Sequence, residues 1–217
     1  MKTLRIAKEL AAALSDVIPK YWDGKECILE MKNSGNRQWK QMEWIGFYFQ
    51  FCCERALKSM MTIPGARYGN VEFDAFLGIP WDFKAHAINA SRHEIIVNDS
   101  EAIAQGIAEF GAVGVVVAMG RVIYNDEDRT FQKWHQELKG SKSKYEIERE
   151  RRGAWSRRRK THFDLQQISF IEITDSTLMQ SGTFQKNFRN ADGSPRRAKV
   201  KINVGKLSDE IVHVVEF

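Results

Sequence analysis

Asp74, Asp82 and Lys84 fall in VEFDAFLGIPWDFKAHAI, a stretch otherwise made of Phe, Leu, Ile and Trp. Charge buried among such side chains costs several kcal/mol unless it is paired or coordinated, so these groups need partners. Two short apolar runs, 71–78 and 80–88, separated by a tight turn read as a β-hairpin. Alternation along a strand puts Asp82, Lys84 and His86 on one face and Trp81, Phe83 and Ala85 on the other, while Glu72, Asp74 and Phe76 share a face of the first strand. In a paired hairpin, Asp74 faces Asp82 and Lys84. Two carboxylates that close repel each other unless a cation lies between them, and oxygen-only donors beside a lysine favour Mg²⁺ over zinc. The same residues also fit a cross-strand ion pair from Lys84 to Asp74, with Asp82 near the sheet edge. His86 either meets a phosphate or water on that face or hydrogen-bonds within the sheet.

The flanking sequence supplies the elements that would hold such a hairpin. Residues 4–18 show helical spacing of Leu4, Ala7, Leu10, Ala11 and Leu14. CILEMKN, 27–33, reads as a short strand, and residues 39–60 as a long central helix, apolar on nearly every side. Residues 99–111 carry an Asp/Ser cap and end on Gly, the marks of a helix. AVGVVVAMG, 112–120, is an unbroken β-branched run suited to a strand covered on both faces. A helix over 127–138 and strands over 166–174, 197–204 and 210–217 complete a mixed α/β plan. Its central mixed sheet is flanked by helices, and the C-terminal β-rich additions pack on the core rather than forming a second domain.

Of 217 residues, 43 % are hydrophobic and 11 % aromatic, enough for a substantial core. No apolar run is long enough to cross a bilayer and the N-terminus lacks a cleavage signal, so the expected location is cytoplasmic, with no membrane partner. Cys27, Cys52 and Cys53 have no metal-ligand spacing, and the adjacent pair reads as small hydrophobes. His135 and His162 are isolated.

The net charge of +5 is unevenly distributed: residues 141–160 hold nine Lys or Arg against three Glu. A second basic stretch, SPRRAKVKINVGK, spans 194–206. Clustered cations beside Trp155 and Tyr145 suit a phosphate backbone, where each neutralised phosphate releases counterions. A solvated helix laced by pairs such as Glu146 with Arg149 is the competing reading. The candidate nucleic-acid contacts are Arg152, Arg157, Arg158, Arg159, Lys160, Lys186, Arg189, Arg196 and Arg197.

Asp74, seven residues, then Asp82-Phe83-Lys84 resembles the motif of the PD-(D/E)XK nucleases, the fold of most type II restriction endonucleases. The resemblance covers roughly residues 37–125 and departs from the usual pattern in having no proline before Asp74. It implies a restriction-endonuclease-like core in which Asp74, Asp82 and the main-chain carbonyl of Phe83 hold Mg²⁺, with Mn²⁺ able to substitute. Lys84 would orient or deprotonate the attacking water. Glu43 would be a helix glutamate near the metal, the alternatives being an ion pair with Lys40 or Arg55 or a partly exposed rim position. The implied substrate is double-stranded DNA cut at a specific site by a homodimer, with a cognate DNA methyltransferase acting on the same site; the alternatives are a structure-specific or repair nuclease of the same fold, or a non-catalytic nucleic-acid-binding protein whose acidic hairpin is structural. In that scheme 1–217 is one domain, 37–125 its nuclease core and 141–217 its DNA-recognition elements. A weaker copy of the motif, Asp23 with Glu30-Met31-Lys32, lies in a segment with no apolar strand placed opposite.

Overall fold

The computed structural model describes residues 2–69, 71–90, 93–124, 127–154, 158–186, 195, 197–207 and 212–216. Helix α1 (Lys2–Ser15) leads to strand β1 (Tyr21–Asp23), α2 (Gly24–Asn33), a 3-10 turn (Arg37–Lys40) and α3 (Trp44–Leu57). Strands β2 (Arg67–Tyr68) and β3 (Val71–Glu72) precede β4 (Ala75–Leu77), β5 (Ile79–Ala87), β6 (Glu94–Asp99), α4 (Ser100–Phe110) and β7 (Val113–Ile123). The remainder is α5 (Thr130–Lys139), α6 (Lys144–Arg151), β8 (His162–Ile173), α7 (Asp175–Ser181), β9 (Gly182–Gln185), β10 (Lys199–Asn203) and β11 (Val212–Glu216). Among the described residues no helix is long and apolar enough to cross a membrane.

The central sheet has the order β1-β8-β7-β5-β4, with β11 also pairing with β8. Strands β5 and β7 run parallel and the other pairs antiparallel, which makes the sheet mixed. A second sheet, β6-β10-β9, packs beside it. Strand β7 explains its own sequence. Val113, Val115 and Val117 are buried with Ile103 of α4 and Val200 and Ile202 of β10, while Val116, Ala118 and Val122 are buried with Leu10, Phe49 and Trp81 on the other face. A strand covered on both faces has no use for polar alternation.

Gly114 of β7 stands beside Trp81 of β5 in the parallel register. A Cβ there would lie 2.3 Å from the indole ring, which is itself fully buried. Gly114→Ala is therefore expected to destabilise the protein by about 1–3 kcal/mol, the usual range for overpacking, because the displaced ring is next to Asp82 in the chain. Thermal unfolding checks this, and a melting temperature equal to wild type would show that the ring has room to move.

The structure departs from the elements expected of the sequence in several places. CILEMKN is helix, not strand. The Asp23 carboxylate accepts from Lys25 N at 2.8 Å and Glu26 N at 3.2 Å, capping α2, and Cys27, Ile28 and Met31 point inward at helical spacing. The central helix starts at Trp44 rather than 39: residues 37–40 form a separate 3-10 turn that ends at an extended Gln41, and the Trp39 carbonyl accepts from His135 Nε2 at 2.9 Å. The expected strand 71–78 is interrupted: Phe73 bonds to Gly65 and Ala66, and Asp74 sits in a bend before β4. Strand β8 pairs with β7 along its length and forms an interior strand of the central sheet.

His135 is 5 % exposed, and burial pulls its pKa down to about 4. The hydrogen bond to Trp39 and the charges of Lys139, Arg159 and Glu146 are smaller influences. The neutral ring is thus favoured in the fold, whereas the unfolded chain takes up a proton near pH 6.5. Its contribution to stability is complete above that pH and is lost as the pH falls toward 4, by about 3 kcal/mol. Denaturant titrations of wild type and His135→Gln from pH 7 to pH 4 should show that slope only in wild type.

Candidate functional site

The β4–β5 hairpin turns at Gly78, whose φ of +69° is the left-handed conformation that glycine adopts without strain. Its register pairs Ala75 with Trp81, so Asp74 arrives opposite Asp82. There the ladder gives way to a side chain: Asp74 Oδ2 accepts the Phe83 N–H at 2.7 Å. The bend at Asp74 and the carboxylate's position share one cause, a side chain standing in for a strand partner. Among the described residues no strand pairs with this edge of β5 beyond Trp81, which leaves it open.

Asp82 is 1 % exposed. Its Oδ2 lies 3.3 Å from Lys84 Nζ and accepts from Asn98 Nδ2 at 3.1 Å. Burial pushes the Asp74 carboxyl up to about 6; Lys84 opposes this, the Asp82 charge adds to it, and the Phe83 amide opposes it. For Lys84, burial alone would lower the pKa, but Asp82 and Asp74 together outweigh it and hold the ammonium above the usual lysine range. The three groups act as one electrostatic unit, with two carboxylates sharing one ammonium.

The structure thus brings Asp74, Asp82 and Lys84 together and places the Phe83 main chain among them. Glu43 stands elsewhere on the same cleft. It is the N-cap of α3 and makes no capping hydrogen bond; its Oε2 lies 2.6 Å from Lys160 Nζ. The α3 carboxylate whose charge acts on Asp74 is Glu54, raised in pKa by burial against a 2.8 Å hydrogen bond from Gln50 Nε2. Among the described residues no group of three or more His, Cys, Asp or Glu side chains is placed to hold a metal. The weaker motif is occupied structurally: Glu30 accepts from Arg55 at 2.6 Å and from Tyr48 at 2.8 Å, joining α2 to α3.

Beside Lys84 opens a cavity of about 300 Å³ whose walls include Glu43, Gln50, His86 and Lys160. The expected basic contacts are distributed as follows. Lys160 is at this cavity. Arg158 is exposed and 3.1 Å from Glu127, Arg152 is exposed and 2.7 Å from Glu148, Arg197 is 3.1 Å from Glu101, and Lys186 is exposed. Arg159 departs from the expectation of a phosphate contact. It is 5 % exposed and its guanidinium bonds to buried Glu146 at 2.7 Å, so it is part of the interior. Arg157, Arg189 and Arg196 lie outside the described residues.

Sequence reasoning missed Asn98 and Glu54. Asn98 lies in IIVNDS, where the only local signal is that of a helix cap. Glu54 lies one residue after two cysteines, with nothing in the pattern to connect it to a strand twenty residues on.

No protein-family model matches the chain, and no curated protein matches it significantly in sequence. Among solved structures, the chain is similar to the restriction endonuclease BglI bound to its DNA recognition sequence, with 9 % sequence identity and a TM-score of 0.43. The similarity covers 99 % of this chain and 87 % of that one.

Proposed function

We propose that this protein is a Mg²⁺-dependent endonuclease that hydrolyses phosphodiester bonds in double-stranded DNA at a specific site. The observation that carries the reading is the convergence of Asp74, Asp82 and Lys84 at the open edge of β5. The donors fit a hard divalent cation. Asp74 and Asp82 are hard oxygen ligands whose joint negative charge exceeds that of their single ammonium, and the Phe83 carbonyl is of the same chemical kind. When bound, Mg²⁺, or Mn²⁺ in its place, would polarise the phosphodiester and acidify a water.

The chain's own residues perform the remaining work. Asn98 fixes the Asp82 carboxylate and the Phe83 amide fixes that of Asp74, so neither has to reorganise as charge develops. Lys84, kept protonated by its two neighbours, balances negative charge on the phosphoryl oxygens and can orient the attacking water by donating a hydrogen bond to it. Lys160, Arg158 and Arg152 offer sequence-independent contacts to the phosphate backbone. A homodimer would match a palindromic site, and a cognate methyltransferase would protect the host copies of that site.

The test is incubation of the purified protein with plasmid DNA in Mg²⁺ or in EDTA. Discrete fragments that require Mg²⁺ are expected. A smear would retain the nuclease and remove site specificity, whereas intact plasmid with a gel shift would mean a DNA-binding protein without cleavage.

A further inference from the structure

The geometry points to Lys160 as a binding site for the DNA phosphate next to the one being cut, a site held in the free protein by the carboxylate of Glu43. This inference rests on the reading of the cleft as a DNA-cleaving centre. Lys160 is a strand-entry residue with a fixed backbone. Its carbonyl accepts the Trp44 indole N–H at 2.7 Å, and the next amide, Thr161 N, bonds to Ile123 O at 2.9 Å. The side chain is therefore presented to the cleft from a rigid backbone.

Glu43 is the opposite kind of partner. Its side chain is 61 % exposed and makes no capping bond to the helix it begins; among the described residues the contact recorded for its carboxylate is Lys160. An exposed ion pair of this sort contributes little to stability and is readily exchanged. A carboxylate and a phosphate oxygen make the same charge-assisted bond to an ammonium, so one can replace the other.

Two further observations place the exchange on the path of the DNA strand. The cavity that holds Glu43 and Lys160 also contains Lys84, so an anion on Lys160 is a neighbour of the reaction centre. A second cavity, of about 460 Å³, shares Glu43 and Lys160 and continues to Arg158 and exposed Tyr124. The cleft thus runs past Lys160 into a groove with another cation and an aromatic ring, as a continuing nucleic-acid strand requires. His86 borders the same cavity, and its Nε2 is buried with no hydrogen-bond partner among the described residues. Such an orphaned atom marks a place where a ligand or water completes the structure. Lys160 is close enough to His86 to lower its pKa, although burial and His93 contribute more.

The experiment measures binding of a short fluorescein-labelled DNA duplex by anisotropy, in EDTA so that no cleavage occurs, with Ca²⁺ as a second condition. Removing the stand-in charge with Glu43→Gln should tighten binding about 3–10-fold, and Lys160→Ala should weaken it by a similar factor and lower the salt slope by about one. The double variant should behave like Lys160→Ala alone, since Glu43 acts through Lys160. With Mg²⁺ and subsaturating DNA, Glu43→Gln should cut faster in step with its affinity. If wild type binds the duplex but Glu43→Gln binds no better, or stops cutting, the stand-in role is overturned and the nuclease reading survives. If wild type binds no duplex in either condition, both fail together.

Discussion

Lys84→Ala should lower the rate of DNA cleavage by about 10³-fold or more, while duplex binding in EDTA stays close to that of wild type. The magnitude is that of a general acid–base group or a charge placed at the developing phosphoryl oxygens. Binding is spared because Lys84 is one cation in a cleft that also holds Lys160, and its ammonium is already engaged by Asp82 at 3.3 Å. Lys84→Arg separates charge from geometry. Arginine keeps the charge but carries it on a larger, planar fork. Recovery of activity in that variant would make charge alone sufficient; continued inactivity would show that the compact ammonium beside Asp82 is required. Asp74→Asn is expected to differ from both, raising the Mg²⁺ concentration needed for cleavage. If Lys84→Ala cut at the wild-type rate, the reaction centre would have to be sought elsewhere.

Glu146→Gln should destabilise the protein by about 3–5 kcal/mol, the cost of leaving a buried charge without its partner. The Glu146 side chain is 2 % exposed and that of Arg159 is 6 %, with 2.7 Å between them, and Lys139 Nζ approaches at 3.8 Å. Glu146 also closes the N-terminal box of α6, accepting from Ser143 N at 2.9 Å while Ser143 Oγ accepts from Glu146 N at 3.2 Å. Burial would raise its pKa, but the hydrogen bonds from Ser143 and Gln136, with the charge of Lys139, bring it down to about 2. The charged form is thus the one the fold requires. Glu148, two residues on, is the internal control. It is paired with Arg151 and Arg152 on an exposed surface, and Glu148→Gln should cost less than about 1 kcal/mol. Urea titrations at neutral pH compare the two directly. Equal midpoints would mean that the Arg159 charge finds other compensation.

That contrast shows where reading the sequence stops. Glu146, Glu148 and Glu150 look alike in KYEIERERR, and only the fold decides which one meets Arg159, thirteen residues away. The dense cations of 141–160 were legible as a feature, but not the division between those facing solvent and the one turned inward. The β4–β5 hairpin was legible because alternation and a tight turn are local properties, and it brought Asp74, Asp82 and Lys84 to one place. The mixed α/β class was legible for the same reason, from β7 above all. Helix α2 is short and its apolar residues are few, so CILEMKN alone does not distinguish helix from strand; the cap formed by Asp23 decides it. Asn98 and Glu54 depend on β6 and α3 being packed against β5, a relation of tertiary structure that no local spacing encodes.

The border of β5 beyond Trp81, unpaired among the described residues, has a cost apart from catalysis. An unpaired strand edge offers its peptide groups to any extended chain that passes, including one from another copy of the same protein. Lys84, whose side chain is 27 % exposed, makes such docking unfavourable, since an incoming strand would have to desolvate it further. Replacing Lys84 by an apolar residue would therefore remove a guard against self-association along with the chemistry, and the expected casualty is solubility rather than fold.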